Sequence, residues 1–121
     1  MNINIHISAM VEENVVLGDG TRVWQFAHIM SGVRVGNNCS IGEKVFIGRK
    51  VLIGDNVKIA NGANIYEGAI IKNSIITNSV IAKGASLENC SMTGSIIGEH
   101  ALVHGTVRKL SVGDYSEIKF D

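Results

Sequence analysis

Proline is absent from all 121 residues, and aromatics are scarce: one Trp, two Tyr and three Phe. Lys plus Arg and Asp plus Glu both number 11. No net charge therefore draws the chain to nucleic acid or to an anionic membrane, and no basic stripe compensates. The two cysteines, Cys39 and Cys90, lie far apart without partners at metal spacing. That suits reduced thiols in a cytoplasmic protein and argues against zinc or a disulfide. The start, MNINIHISAM, alternates polar and apolar residues instead of placing a basic segment before an apolar run, so no signal peptide is expected. No apolar run approaches the length of a membrane span. What is abundant is glycine, 14 residues, with many Ile and Val, which is a composition for strands and turns. The length fits one domain spanning 1–121.

The Ile and Val are not scattered. From Ile5 every sixth residue is aliphatic, through Val11, Leu17, Val23, Ile29 and onward to Ile59, Ile65 and Ile71. Four places after each, small or β-branched residues recur, as at Ala27, Val33, Val45 and Val57. A helix needs spacings of three and four, and a hairpin sheet needs unbroken alternation, so a period of six fits neither. It fits a short strand followed by a corner. Residues two apart on a strand point the same way, which turns Val45 and Ile47 inward and Phe46 outward. Gly48, following the anchor, would let the chain turn in a conformation that a Cβ hinders. Three such units make a coil of 18 residues, and stacked coils bury a column of Ile, Val and Ala.

The stretches VLGDGTRV, SIGEKVFIGRKVLIGDNVKI and IGEHALV resemble the hexapeptide-repeat family of left-handed parallel β-helices. The resemblance supplies the hand, which periodicity does not. It implies an all-β left-handed parallel β-helix of about six to seven coils, and a homotrimer, the characteristic assembly of that family.

Each residue just before an anchor points outward, on one of three faces. Met10, His28, Phe46 and Asn64 share one; Val16, Arg34, Leu52 and Ile70 the second; Arg22, Ser40 and Lys58 the third. The third reads as ordinary solvated surface. The second bares Val16, Leu52 and Ile70, which points to a subunit contact. On the first face His28 is placed to accept a proton from an amine or hydroxyl nucleophile near neutral pH, though no group that would orient its ring is evident in the sequence. His100 and His104 sit in IGEHALVHG, but the zinc enzymes of this fold space their histidines differently and add a third. No long loop interrupts the hexads, so any site must be built on faces and corners.

Residues 5 to about 70 resemble bacterial N-acetyltransferases that use acetyl-CoA to acetylate an amino group on a UDP- or dTDP-linked sugar. GDGTRVWQFAHIMSGVRVG, SIGEKVFIGRKVLIGD and VKIANGANIYEGA carry the likeness, since the coil itself does not demand Trp24, Phe26, His28, Asn61, Tyr66 or Glu67. The resemblance implies amine attack on a thioester in a groove between neighbouring β-helices. His28 would be the catalytic base, and Trp24, Asn61, Asn64, Tyr66 and Glu67 would bind the nucleotide-linked amino sugar. For Asn61 and Asn64, turn formation is the plainer role.

Past Ile71 that likeness stops. IKNSIITNSVIAKGAS and LENCSMTGSIIGEHAL align as two blocks of 16 residues, each breaking into five, five and six. Cys90 then aligns with Ser74, which makes it structural. The expectation is regular 18-residue coils over 1–70 and shortened 16-residue coils over 71–121, with VHGTVRKLSVGDYSEIKFD extending the helix and ending it. NSII, NSVI, GSIIGEHALV and RKLSVGDYSEI resemble the C-terminal β-helix of sugar-1-phosphate nucleotidylyltransferases, an appendage for assembly or regulation. No Gly-rich phosphate loop follows a strand, which sets nucleotidyl transfer aside. Two functions stay open: an acetyl-CoA-dependent N-acetyltransferase, or a non-catalytic trimeric assembly module, natural or built by joining two repeat segments.

Overall fold

The computed structural model describes residues 2–105 and 111–119. Within them the chain forms 20 strands of two or three residues and no helix. They pair in parallel into three sheets wound as a left-handed-type β-solenoid of about seven turns. The first sheet runs from Asn4–Ile5 through Arg22–Val23, Ser40–Ile41, Lys58–Ala60 and Ile75–Thr77 to Ser91–Thr93. The second runs from Met10–Val11 through His28–Ile29, Phe46–Ile47 and Asn64–Ile65 to Ser111–Val112, and the third from Val16–Leu17 to Glu117–Lys119. Of VHGTVRKLSVGDYSEIKFD, residues 106–110 and 120–121 lie outside the described residues. The rest holds the end of the strand Leu102–His104 and the strands Ser111–Val112 and Glu117–Lys119.

The anchors face inward as the six-residue period requires. Ile29, Ile41, Ile47, Ile59, Ile65 and Ile71 are fully buried, and the small residues Ala27, Ala63 and Ala69 fill the corners of the triangular core. Phe46 lies outward between buried Val45 and Ile47. Fully burying one such aliphatic side chain contributes about 1.5–3 kcal/mol. The continuous column is therefore the main source of stability.

The glycine after each anchor works differently from the sequence expectation. Gly48 does not occupy the left-handed region; that role falls two places later, to Lys50 at φ 59°. What Gly48 provides is closeness. A Cβ there would stand 2.9 Å from the backbone nitrogen of Glu67 in the next coil. The left-handed corner position is held elsewhere by Asn38, Asn56 and Asn61, as asparagine's local hydrogen bonding permits.

Register records where the coil changes. Ile53 pairs with Ile71, eighteen residues on, but Ile59 pairs with Ile76, seventeen on, and Ile65 with Ile81, sixteen on. Below the change an Asx ladder runs along one corner. Asp19 Oδ1 accepts the Asn2 N–H at 2.6 Å, Asn37 Oδ1 the Asp19 N–H at 2.8 Å, and Asp55 Oδ1 the Asn37 N–H at 2.8 Å. Above it the shortened corners use a left-handed Asn followed by a buried small polar residue. Ser74 Oγ donates to the Lys72 carbonyl at 2.7 Å and accepts the Cys90 N–H at 3.0 Å; Ser79 bonds likewise to Thr77 and Ser95. Each hydroxyl thus satisfies a buried N–H of the next coil, as burial requires. Cys90 takes the corresponding place one coil on, its Sγ donating to the Val103 carbonyl at 3.5 Å. Burial pushes both thiols, Cys39 and Cys90, above their ordinary pKa.

Candidate functional site

Ile29 fills the core, so its strand neighbour His28 projects from the second sheet. Met10 pairs with His28 one coil earlier, and Glu12, two residues past Met10, comes to the corner beside the imidazole. The Glu12 backbone N–H is fixed on the Ile29 carbonyl at 2.9 Å. Its Oε2 lies 2.7 Å from His28 Nε2, and its Oε1 accepts the Ser31 N–H at 3.1 Å. Both carboxylate oxygens are occupied, which fixes the side chain. The hydrogen bond from His28 is the main influence holding the Glu12 carboxyl below its ordinary value of 4.5; partial desolvation opposes it, and the Ser31 N–H and the charges of His28 and Arg49 assist.

An ionised carboxylate only accepts, so Nε2 carries the proton in this pair and Nδ1 of the neutral ring bears the lone pair. The arrangement is a base with an orienting acid, a unit that general-base chemistry uses. Replacing His28 by Asn is expected to move the Glu12 carboxyl titration up toward 4.5, read by carbon NMR. An unchanged titration would mean that the hydrogen bond does not form in solution. For stability the sign follows from the depressed value. The pair's contribution is complete above the unfolded carboxyl pKa and disappears as pH falls through the lower folded one.

Beyond His28 the face continues in aromatic rings. Phe46 meets the imidazole edge-on, centroids 5.6 Å apart at 84°, and Tyr66 meets Phe46 at 5.8 Å and 50°. Asn64 stands beside Phe46 in register, its Nδ2 donating to the Gly62 carbonyl at 3.4 Å. The expected site residues thus fall in three rows. His28 and Asn64 lie on the face itself. Trp24 and Asn61 lie at the corner leading onto it from the first sheet, Asn61 in the left-handed turn position at φ 50°. Tyr66 and Glu67 lie at the corner leading off it to the third sheet. Trp24 is turned toward the first sheet, its Nε1 donating to Ser40 Oγ at 3.1 Å. Glu12 and Phe46 are additions that the sequence reading did not place in the site.

The remaining histidines have other neighbours. His100 stacks on Tyr115 with centroids 5.1 Å apart. His104 Nε2 lies 3.1 Å from Asn89 Nδ2 and 3.6 Å from Glu88 Oε1. Among the described residues no group of three or more His, Cys, Asp or Glu could hold a metal ion, and no helix is long and apolar enough to cross a membrane.

Comparison with known proteins agrees with this architecture. Residues 14–49 match the family model of the bacterial transferase hexapeptide (six repeats). The matched segment is 36 of the 121 residues, and the parallel β-solenoid continues on both sides of it. Among solved structures it is similar to the acetyltransferase domain of PglB from Neisseria gonorrhoeae, with TM-score 0.71 and 19% identity over 88% of this chain and 54% of that one. It is similar also to perosamine N-acetyltransferase from Caulobacter crescentus in complex with CoA and GDP-perosamine, with TM-score 0.66 and 19% identity over 93% of this chain and 54% of that one. A third is WeeI from Acinetobacter baumannii, with TM-score 0.56 and 19% identity over 92% and 51%. At these identities the likeness is one of fold, and the chain spans about half the length of each of these structures. No curated protein sequence matches.

Proposed function

We propose that the chain is an acetyl-CoA-dependent N-acetyltransferase acting on a nucleotide-linked amino sugar, working in the cytoplasm as a homotrimer. The observation that carries this reading is the Glu12–His28 pair at 2.7 Å on an otherwise flat face. In the reaction, the acceptor amine attacks the thioester carbonyl carbon while Nδ1 of His28 takes its proton. A tetrahedral oxyanion forms, held by a backbone N–H. The C–S bond then breaks and the thiolate leaves, protonated by the imidazolium. Glu12 is a positioning residue that fixes the tautomer. Asn64 on the face, Tyr66 and Glu67 at one corner, and Trp24 and Asn61 at the other, bind the acceptor. Of the three aliphatics expected to be bare on the third sheet, Val16 and Leu52 are exposed and Ile70 is half-buried; with exposed Leu102 they support a subunit contact there.

A second reading, a non-catalytic assembly module, is favoured by one observation. The shift from 18- to 16-residue pairing begins at Ile59–Ile76, immediately past the candidate site, where the resembling enzymes continue in hexads. Isothermal calorimetry with acetyl-CoA and with UDP- and dTDP-sugars, on protein of oligomeric state fixed by light scattering, separates the two. Saturable heats from either ligand support the transferase. Silence from both on a folded trimer leaves the assembly module.

A further inference from the structure

The outward face of the first sheet, ordinary surface by its sequence, holds a groove of about 320 Å³ lined by Asn4, Ile5, His6, Arg22, Val23 and Trp24. Its floor is the backbone of two adjacent strands, with Asn4 paired to Arg22 and Ile5 to Val23. Arg22 and Trp24 both line the groove, with Asn4 and His6 at the same places one rung, about 4.8 Å, along.

The walls have a definite chemistry. Trp24 is 42% exposed, yet its indole is held in place by Ser40 Oγ. Among the described residues no carboxylate forms an ion pair with Arg22, which leaves its guanidinium to a ligand. A planar cation and a flat indole on one groove suit a polarisable heteroaromatic ring, and the same charge suits an attached phosphate. The Asn4 amide offers both a donor and an acceptor to a ring edge.

We propose that this groove is a nucleobase slot, in which the base of a nucleotide stacks between Trp24 and Arg22 with its phosphate drawn to the guanidinium. The proposal deepens the transferase reading and rests on it for the source of the base, which is either the sugar nucleotide or the adenine of the coenzyme.

Trp24 is the only tryptophan in the chain, so its emission reports directly on the slot. Uridine, thymidine and adenosine 5′-monophosphates, with ribose 5-phosphate as the control lacking a base, are titrated into the whole chain. At least one nucleotide is expected to quench saturably, and ribose 5-phosphate is not. Quenching by the uridine or thymidine nucleotide assigns the slot to the acceptor, and by the adenosine nucleotide to the coenzyme. Arg22→Ala is expected to weaken binding about tenfold, within the range of one base–side-chain stacking contact. Arg22→Lys, which keeps the charge and loses the plane, should weaken it comparably. No saturable quenching, equal quenching by ribose 5-phosphate, or full binding by Arg22→Lys would each overturn the slot. Acetyl transfer is assayed on the same protein. Quenching without transfer overturns the transferase reading and leaves the slot standing; transfer without quenching overturns the slot alone.

Discussion

His28→Asn is expected to lose about 10²–10⁴-fold in kcat for acetyl transfer to a nucleotide-linked amino sugar, the range set by loss of a positioned general base. Asn keeps a polar group of similar reach and cannot take a proton from the amine. KM for the acceptor should change little, because His28 acts on the reacting nitrogen after binding. Glu12→Gln separates orientation from proton transfer. The amide is nearly isosteric, but its oxygen and nitrogen no longer guarantee that Nε2 holds the proton, so kcat falls by a smaller factor while the coil stack is unchanged. Light scattering and denaturation midpoints on both variants show whether the oligomeric state and the stability persist. Wild-type kcat in His28→Asn would remove His28 from the mechanism.

That pair also marks the limit of what the sequence made legible. The six-residue period settles which side of each strand faces the core, because the side-chain direction alternates strictly and the aliphatic column must be continuous. From it alone follow the outward placement of His28, the burial of Ile29, and the shared face of Met10, His28, Phe46 and Asn64. Glu12 was missed because it sits in a corner, where the period-two rule no longer fixes direction. A signal was nonetheless present. Once Met10 is laid beside His28, the residue two past Met10 is beside the histidine's outgoing strand, and it is a carboxylate. The groove at Arg22 and Trp24 was missed for a different reason. A face with three polar outward residues reads as solvated, whereas the wall that makes it a groove comes from Trp24, one residue beyond its strand. The change of coil length, in contrast, was legible as a change of spacing. Its cause, buried Ser74 where the Asx ladder stops and buried Ser79 at the next corner, each with a hydroxyl bond to the next coil, needed atoms.

Two glycines on one corner turn that change of coil length into a measurable contrast. Gly36 and Gly54 follow anchors Val35 and Ile53, eighteen residues apart, and neither has a left-handed backbone that would itself exclude alanine. A Cβ on Gly36 would stand 2.7 Å from the carbonyl carbon of Gly54 and 2.8 Å from the nitrogen of Asp55. Those are backbone atoms of the next coil, held there by strand pairing, and they cannot rotate away. At Gly54 the next coil presents Lys72, where the corner is shortened, and the nearest atom is its Cγ at 3.5 Å, an ordinary contact. Gly36→Ala is therefore expected to destabilise by about 3 kcal/mol or more, at the upper end of overpacking costs. Gly54→Ala should be neutral or stabilising by up to about 1 kcal/mol, because alanine restricts the unfolded chain. Urea denaturation of the two variants, compared at equal m-value, measures the difference. Equal costs at both positions would show that the glycine requirement does not come from the neighbouring coil. A large cost at Gly36 alone ties the requirement to the backbone that the next coil presents at that corner.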